Sequence, residues 1–224
     1  MEISKAEGNA VRNNLYHHSY FNLADSGTFS MEAAAELLGQ YWHPLHYFPN
    51  FLASLIAQSP DLEFKTCIAD ILNEELGEGK VERAHEKFYI HSMTSVGFDE
   101  RTLTDSPPTD ITKRLVDCYR RGTRNFLAGL GGLYATESTD HRIVSSIGSL
   151  VFAATGTNQP LGWINIHTAQ EPNHVDLTGQ AMATLDPAKH NIAMKYAEEM
   201  WQCWIDFFAE LEQRVYANQE GVLA

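Results

Sequence analysis

Residues 161–183 read as one helix, and inside it His167, Glu171 and His174 form an H-x-x-x-E-x-x-H array. At about 100° per residue, steps of four and seven bring Glu171 and His174 to within roughly 40° of His167. Three metal-competent side chains on one face need partners on facing helices. Helix bundles build metal sites in this way, with carboxylates and imidazoles projecting inward. With ten histidines in the chain, chance pairings are common, so the array gains weight only if other helices supply matching ligands.

The rest of the chain supplies helices. Val11, Leu15, Tyr16, Tyr20, Phe21 and Leu23 recur at helical spacing within 4–24. Ser30 is a candidate N-cap for a helix that begins with the helix formers of 31–35. That helix continues through the aromatic stretch 41–52, where Pro44 and Pro49 are expected to kink or break it. A third helix is expected over 61–93, punctuated by Gly77 and Gly79, followed by a loop at 97–109 with Pro107-Pro108. Helices over 110–138 and 141–154 come next. After the array, Asp186-Pro187 opens a final amphipathic helix with Met200, Trp201, Trp204, Phe207, Phe208 and Leu211 on its apolar side. No strand alternation, hairpin signal or repeat stands out. The expectation is an all-α, single-domain bundle of about seven to eight helices spanning 1–224.

A formal charge of −13 argues against nucleic acid and anionic membrane as partners, since both require basic patches. Cys67, Cys118 and Cys203 lie far apart with no CxxC, and read as reduced, buried thiols of a cytoplasmic protein. No apolar run approaches 18 residues and no secretory leader is read.

Two other helices carry ligand candidates. Residues 73–85 hold Glu74, Glu75, Glu78, Glu82 and His85. Glu82 and His85 have the E-x-x-H spacing used by di-iron bundles, and Glu78 shares the His85 face. Glu75 would need an unwound turn, which Gly77 and Gly79 permit. His85 plus one of these glutamates is expected. Glu137 follows Phe126, Leu127, Leu130 and Leu133, where a carboxylate is costly to bury unless paired or metal-bound. The set is Glu75 or a neighbour, His85, Glu137, His167, Glu171 and His174. A mixed N/O shell without thiolate suits a pair of iron or manganese ions better than structural zinc.

The stretches Glu-Leu-Gly-x-Gly…Arg-Ala-His (75–85), Tyr-Ala-x-Glu-Ser (134–138) and His-x-x-x-Glu-x-x-His (167–174) follow in this order on three helices. Together they resemble the heme-oxygenase-like di-iron oxidases and oxygenases, and the aromatic stretch 41–52 matches the second helix of that fold. The resemblance covers nearly the whole chain. It implies that His85, Glu137 and His167 bind one Fe(II), and that Glu171, His174 and the glutamate near 75 bind a second, with O₂ as co-substrate. Glu171 stands where members more often carry Asp, and Pro172 after it is expected to disturb the helix, consistent with a labile second site. The 41–52 region offers His43, His46 and Asn50 but no acid for a seventh ligand.

Other branches of the fold fit less well. A heme would take an axial histidine from the first helix, His17 or His18, and would not need inward carboxylates. A thiaminase-like enzyme needs a nucleophilic cysteine, and none of the three is expected in an electropositive setting. The implied function is oxidation of a small amino-acid-like or amine substrate in specialised metabolism, by N-oxygenation, C–C cleavage or nitrile formation. A fatty-acid decarboxylase, or a metal-free or cofactor-binding oxidase on the same fold, is the alternative. Tyr41, Trp42 and Phe48 are expected to line the substrate pocket. Arg120, Arg121 and Arg124 would anchor a carboxylate or form a solvated face. The apolar final helix and the fold point to a homodimer.

Overall fold

The computed structural model describes residues 8–26, 29–157 and 159–221, with side chains described outside 24–26, 169–173 and 218–221. The elements are α1 (Ala10–Tyr16), a 3-10 stretch (Ser19–Ser26), α2 (Met31–Gln58), α3 (Leu62–Glu75), a 3-10 turn (Val81–Arg83), α4 (His85–Ser95), α5 (Glu100–Thr104), α6 (Asp110–Gly122), α7 (Phe126–Thr155), α8 (Gly162–Ala183) and α9 (Pro187–Gly221). All are helical, as expected, and nine α-helices among the described residues are more than the seven or eight read from periodicity.

The differences have local causes. The helix expected over 61–93 is two helices, because Gly77, Glu78 and Gly79 take φ of 77°, 54° and 83°, the left-handed region that ends an α-helix. The break expected near 139–140 falls instead at 123–125, where the Asn125 side chain accepts from the Ala128 N–H at 3.1 Å and starts α7. Glu137 therefore sits in mid-helix. Pro44 and Pro49 lie inside α2 without ending it.

The long α7 is central, with α9, α8, α2, α6 and α1 packed around it. Its closest approach is to α9, where a Cβ on Gly131 would run into the carbonyl oxygen of Ala193. Trp201 Nε1 donates to the Ala135 carbonyl across the same contact at 3.0 Å. Met200, Trp201, Trp204, Phe207, Phe208 and Leu211 of α9 are all buried in the chain's own core. The apolar side of the final helix is consumed within one chain, so it gives no reason to expect a dimer.

The start of α8 is anchored to α4 by a Ser92 hydroxyl that accepts from the Trp163 N–H at 2.9 Å. Tyr41 of α2, Tyr89 of α4 and Trp163 of α8 cluster with ring centroids 5.0–6.2 Å apart. That cluster fixes the three helices at one end of the site.

Candidate metal centre

Glu75 is the last residue of α3 and His85 the first of α4. The turn between them doubles the chain back, and His85 Nδ1 comes to 3.2 Å from Glu75 Oε2. Gly77 makes this turn possible. Its φ is left-handed, and a Cβ there would run into the carbonyl oxygen of Lys80 and the backbone of Arg83. The glutamates left open by spacing are now sorted. Glu75 meets His85, and Glu74 accepts at 2.9 Å from His174 Nε2. Glu78 pairs with Arg83 at 2.8 Å on the surface, and Glu82 is exposed.

His167 joins the first pair. Ligand-capable atoms of Glu75, His85 and His167 all lie within 4.8 Å of one another. His167 Nδ1 is 2.9 Å from the Trp163 carbonyl oxygen. A carbonyl only accepts, so Nδ1 carries the proton and Nε2 keeps its lone pair, the tautomer a metal ligand needs. His85 Nδ1 is fully buried and has no well-directed hydrogen bond despite its closeness to Glu75. Buried polar nitrogens are normally satisfied. A metal ion would use this nitrogen, and the donor set of two imidazoles and a carboxylate fits Fe(II).

The second group centres on His174, whose Nδ1 is 3.3 Å from Glu137 Oε2 while Nε2 faces Glu74. The grouping thus differs from the one implied by resemblance: Glu75 stands in the triad with His85 and His167, and Glu137 stands against His174. Glu171 lies on α8, but its side chain is outside the described residues.

Burial is the largest single influence on each of these groups, but it decides the direction only at His167. It drives His167 down to about 4, so the imidazole is neutral at pH 7. Burial also opposes charge on His174, but the carboxylates of Glu137 and Glu74 outweigh it and push His174 up to about 9. Burial would raise Glu75, yet His85, His167 and His174 outweigh it and hold the carboxyl below its usual range.

These shifts give a sign to the pH dependence. His174 binds its proton more tightly folded, about 9 against an ordinary 6.5. That stabilisation is complete below pH 6.5 and disappears as pH rises through 9. The metal-free chain is expected to lose on the order of 2–3 kcal/mol between these limits, measured by urea unfolding, and Glu74→Gln is expected to flatten the slope. His167 acts oppositely at lower pH, favouring the fold as pH rises from 4 to 6.5.

Above the ligands lies a cavity lined by Tyr41, Pro44, Leu45, Phe48, Tyr119, Thr136, Asp140, Ile143 and Trp204, with Glu75, His85, Glu137, His167 and His174 as its floor. Tyr41 and Phe48 of the aromatic stretch are among its lining residues. Trp42 is not: it is buried with its ring stacked on His46 at 5.2 Å and on Tyr89 at 6.1 Å. His17 and His18 are not among the lining residues, and His18 packs on Phe208. The arginines also face elsewhere. Arg120 pairs with Asp117 at 2.8 Å, Arg121 with Glu199 at 3.6 Å, and Arg124 is exposed.

One expectation about cysteine is overturned. Cys118 accepts from Arg121 at 3.0 Å. Contact with Cys203 together with this guanidinium lowers its thiol to about 7 against the effect of burial. It is not a lining residue of the cavity, so it does not supply a thiaminase-like nucleophile there. Sequence reading missed Asp140 and Trp204 as cavity residues. Asp140 was within reach of it, since the E-x-x-D spacing from Glu137 places both on one helix face.

A family model described as iron-containing redox enzyme matches residues 35–205. No curated protein matches the sequence. Among solved structures, the chain is similar to a CADD-like protein of unknown function from Nostoc punctiforme, with a TM-score of 0.79, 15% identity, and 95% of this chain and 96% of that one covered. It is similar to a domain of unknown function with a heme oxygenase-like fold from Shewanella denitrificans, at TM-score 0.70, 14% identity and coverage of 99% and 91%. A TenA homologue from Pyrococcus furiosus follows at TM-score 0.69, 15% identity and coverage of 94% and 97%. At these identities the likeness shows the fold alone.

Proposed function

The chain belongs to the family of iron-containing redox enzymes, and on that premise we propose that it is an O₂-dependent non-heme di-iron oxygenase acting on a small amino-acid-like or amine substrate. Glu75, His85 and His167 would hold one Fe(II). His174 and Glu137, with Glu171 as the family resemblance implies, would hold the second. Bound iron supplies the electrons and open coordination positions for O₂ reduction.

The chain's own residues supply the rest. The Trp163 carbonyl keeps His167 in its ligating tautomer. Pro44, Leu45, Phe48, Ile143 and Trp204 make the cavity walls apolar and limit water beside the reacting atoms. The Tyr119 hydroxyl and Thr136 Oγ1, 2.8 Å apart, place a polar point in that wall.

The observation that carries this reading is the buried His85 Nδ1, without a directed hydrogen bond, 3.2 Å from the part-buried carboxylate of Glu75. Its test is anaerobic loading with Fe(II), a count of iron per chain, and the O₂ then consumed. About two irons per chain are expected, as in other carboxylate-bridged bundles, with O₂ uptake that depends on them. No iron uptake, or uptake indifferent to His167→Ala and Glu137→Ala, ends the di-iron reading.

A further inference from the structure

Two of the three thiols meet between helices that carry no metal-ligand candidate. Cys118 lies on α6 and Cys203 on α9, and both are free. Two contacts fix how these helices run against each other. Thr109 Oγ1, in the cap of α6, donates to Glu210 at 2.6 Å, and Arg121 at its far end pairs with Glu199 at 3.6 Å. Twelve residues forward along α6 therefore match eleven residues back along α9. That antiparallel register sets Cys203 opposite Cys118. The two thiols are hydrogen-bonded neighbours there, and Arg121 donates to the Cys118 sulfur at 3.0 Å.

Thiolate character and access make a cysteine oxidisable. The hydrogen bond from Cys203 and the Arg121 guanidinium outweigh burial and bring the Cys118 thiol to about 7, while Cys203 is pushed up and keeps the shared proton. Cys118 retains 8% exposure, and Cys203 is half-buried beside it, so a small oxidant reaches the pair. Cys67 on α3 is the comparison within the chain, since burial pushes its thiol up. The pair also sits directly behind the cavity. Tyr119 follows Cys118 and Trp204 follows Cys203, and both rings line the wall.

We propose that Cys118 and Cys203 form a redox site, oxidised by hydrogen peroxide to an intrachain disulfide that ties α6 to α9 behind Tyr119 and Trp204. The Cys118 thiolate attacks one peroxide oxygen, the O–O bond breaks, and the departing hydroxide takes up a proton to leave as water. Cys118 is then a sulfenic acid. The Cys203 sulfur bonds to the Cys118 sulfur, its thiol proton joins the departing hydroxyl, and a second water leaves. Two thiols lose two electrons, and one peroxide gains them. The step needs no iron, so it stands apart from the di-iron reading.

The test treats the full chain with hydrogen peroxide in the presence of a chelator, alkylates the remaining thiols under denaturant, and maps the peptides by mass spectrometry. A peptide linking Cys118 to Cys203 is expected, with Cys67 alkylated, and dithiothreitol is expected to restore all three thiols. In Cys203→Ser the sulfenic acid at Cys118 has no partner, and its capture by dimedone is expected. Arg121→Gln is expected to slow disulfide formation about threefold or more, because less Cys118 is thiolate. Cys67 oxidised as fast as Cys118 overturns the proposal, and so do disulfides that form only between chains. A wild-type chain that accumulates sulfenic acid at Cys118 without closing onto Cys203 overturns it as well.

Discussion

Filling the site of Glu75, His85 and His167 with anaerobic Fe(II) raises the unfolding midpoint of the metal-free chain by roughly 5–10 °C when free metal stands about 100-fold above its dissociation constant, and His85→Ala abolishes that contribution. The size follows from linkage: at that excess a ligand binding only the folded state adds about 2.7 kcal/mol. His85 is the decisive position because its Nδ1 is buried and undirected, whereas His174 already holds two carboxylates. Removing the His85 imidazole takes away a ligand without stripping a charge partner from His174. Differential scanning fluorimetry with and without metal reads both chains. An equal shift in wild type and His85→Ala would place the bound metal elsewhere.

The second large effect comes from a residue that touches no metal. Gly77→Ala is expected to cost more than about 2 kcal/mol and to lower iron content. A left-handed φ costs a Cβ-bearing residue roughly 1–2 kcal/mol, and here the added atom also meets the backbone of Lys80 and Arg83. The turn must open, and Glu75 then moves away from His85. Gly79 is the built-in comparison: its φ is 83°, but nothing lies within 4 Å of the position a Cβ would take. Gly79→Ala is expected to cost only about 1 kcal/mol and to keep iron. Urea unfolding with parallel metal analysis separates the two. Equal behaviour of the two variants would show that the turn does not position Glu75.

Much of the site was legible because it is local. His167 and His174 share a face by helical periodicity alone, and the burial of Glu137 follows from the apolar residues before it. The choice of glutamate was not legible. Glu82 has the textual E-x-x-H spacing, but a three-residue left-handed turn removes it from the helix and returns Glu75 to His85. Nor could the pairing of Glu137 with His174 be read, since it depends on how α7 and α8 lie against each other. Cys118 looked inert because Cys203 reaches it only after α6 and α9 pack, although Arg121 lies one turn along its own helix.

By itself, then, the sequence determined the helical class, the apolar faces and the histidine array, because these depend on spacing within one element. Tertiary structure alone decided which carboxylate meets which imidazole, and that the arginines face away from the cavity. Those outcomes depend on distances between helices, which are set by close approaches such as Gly131 against Ala193 and by the turn at Gly77. Such contacts join residues far apart in the chain, and no spacing within a single helix encodes them.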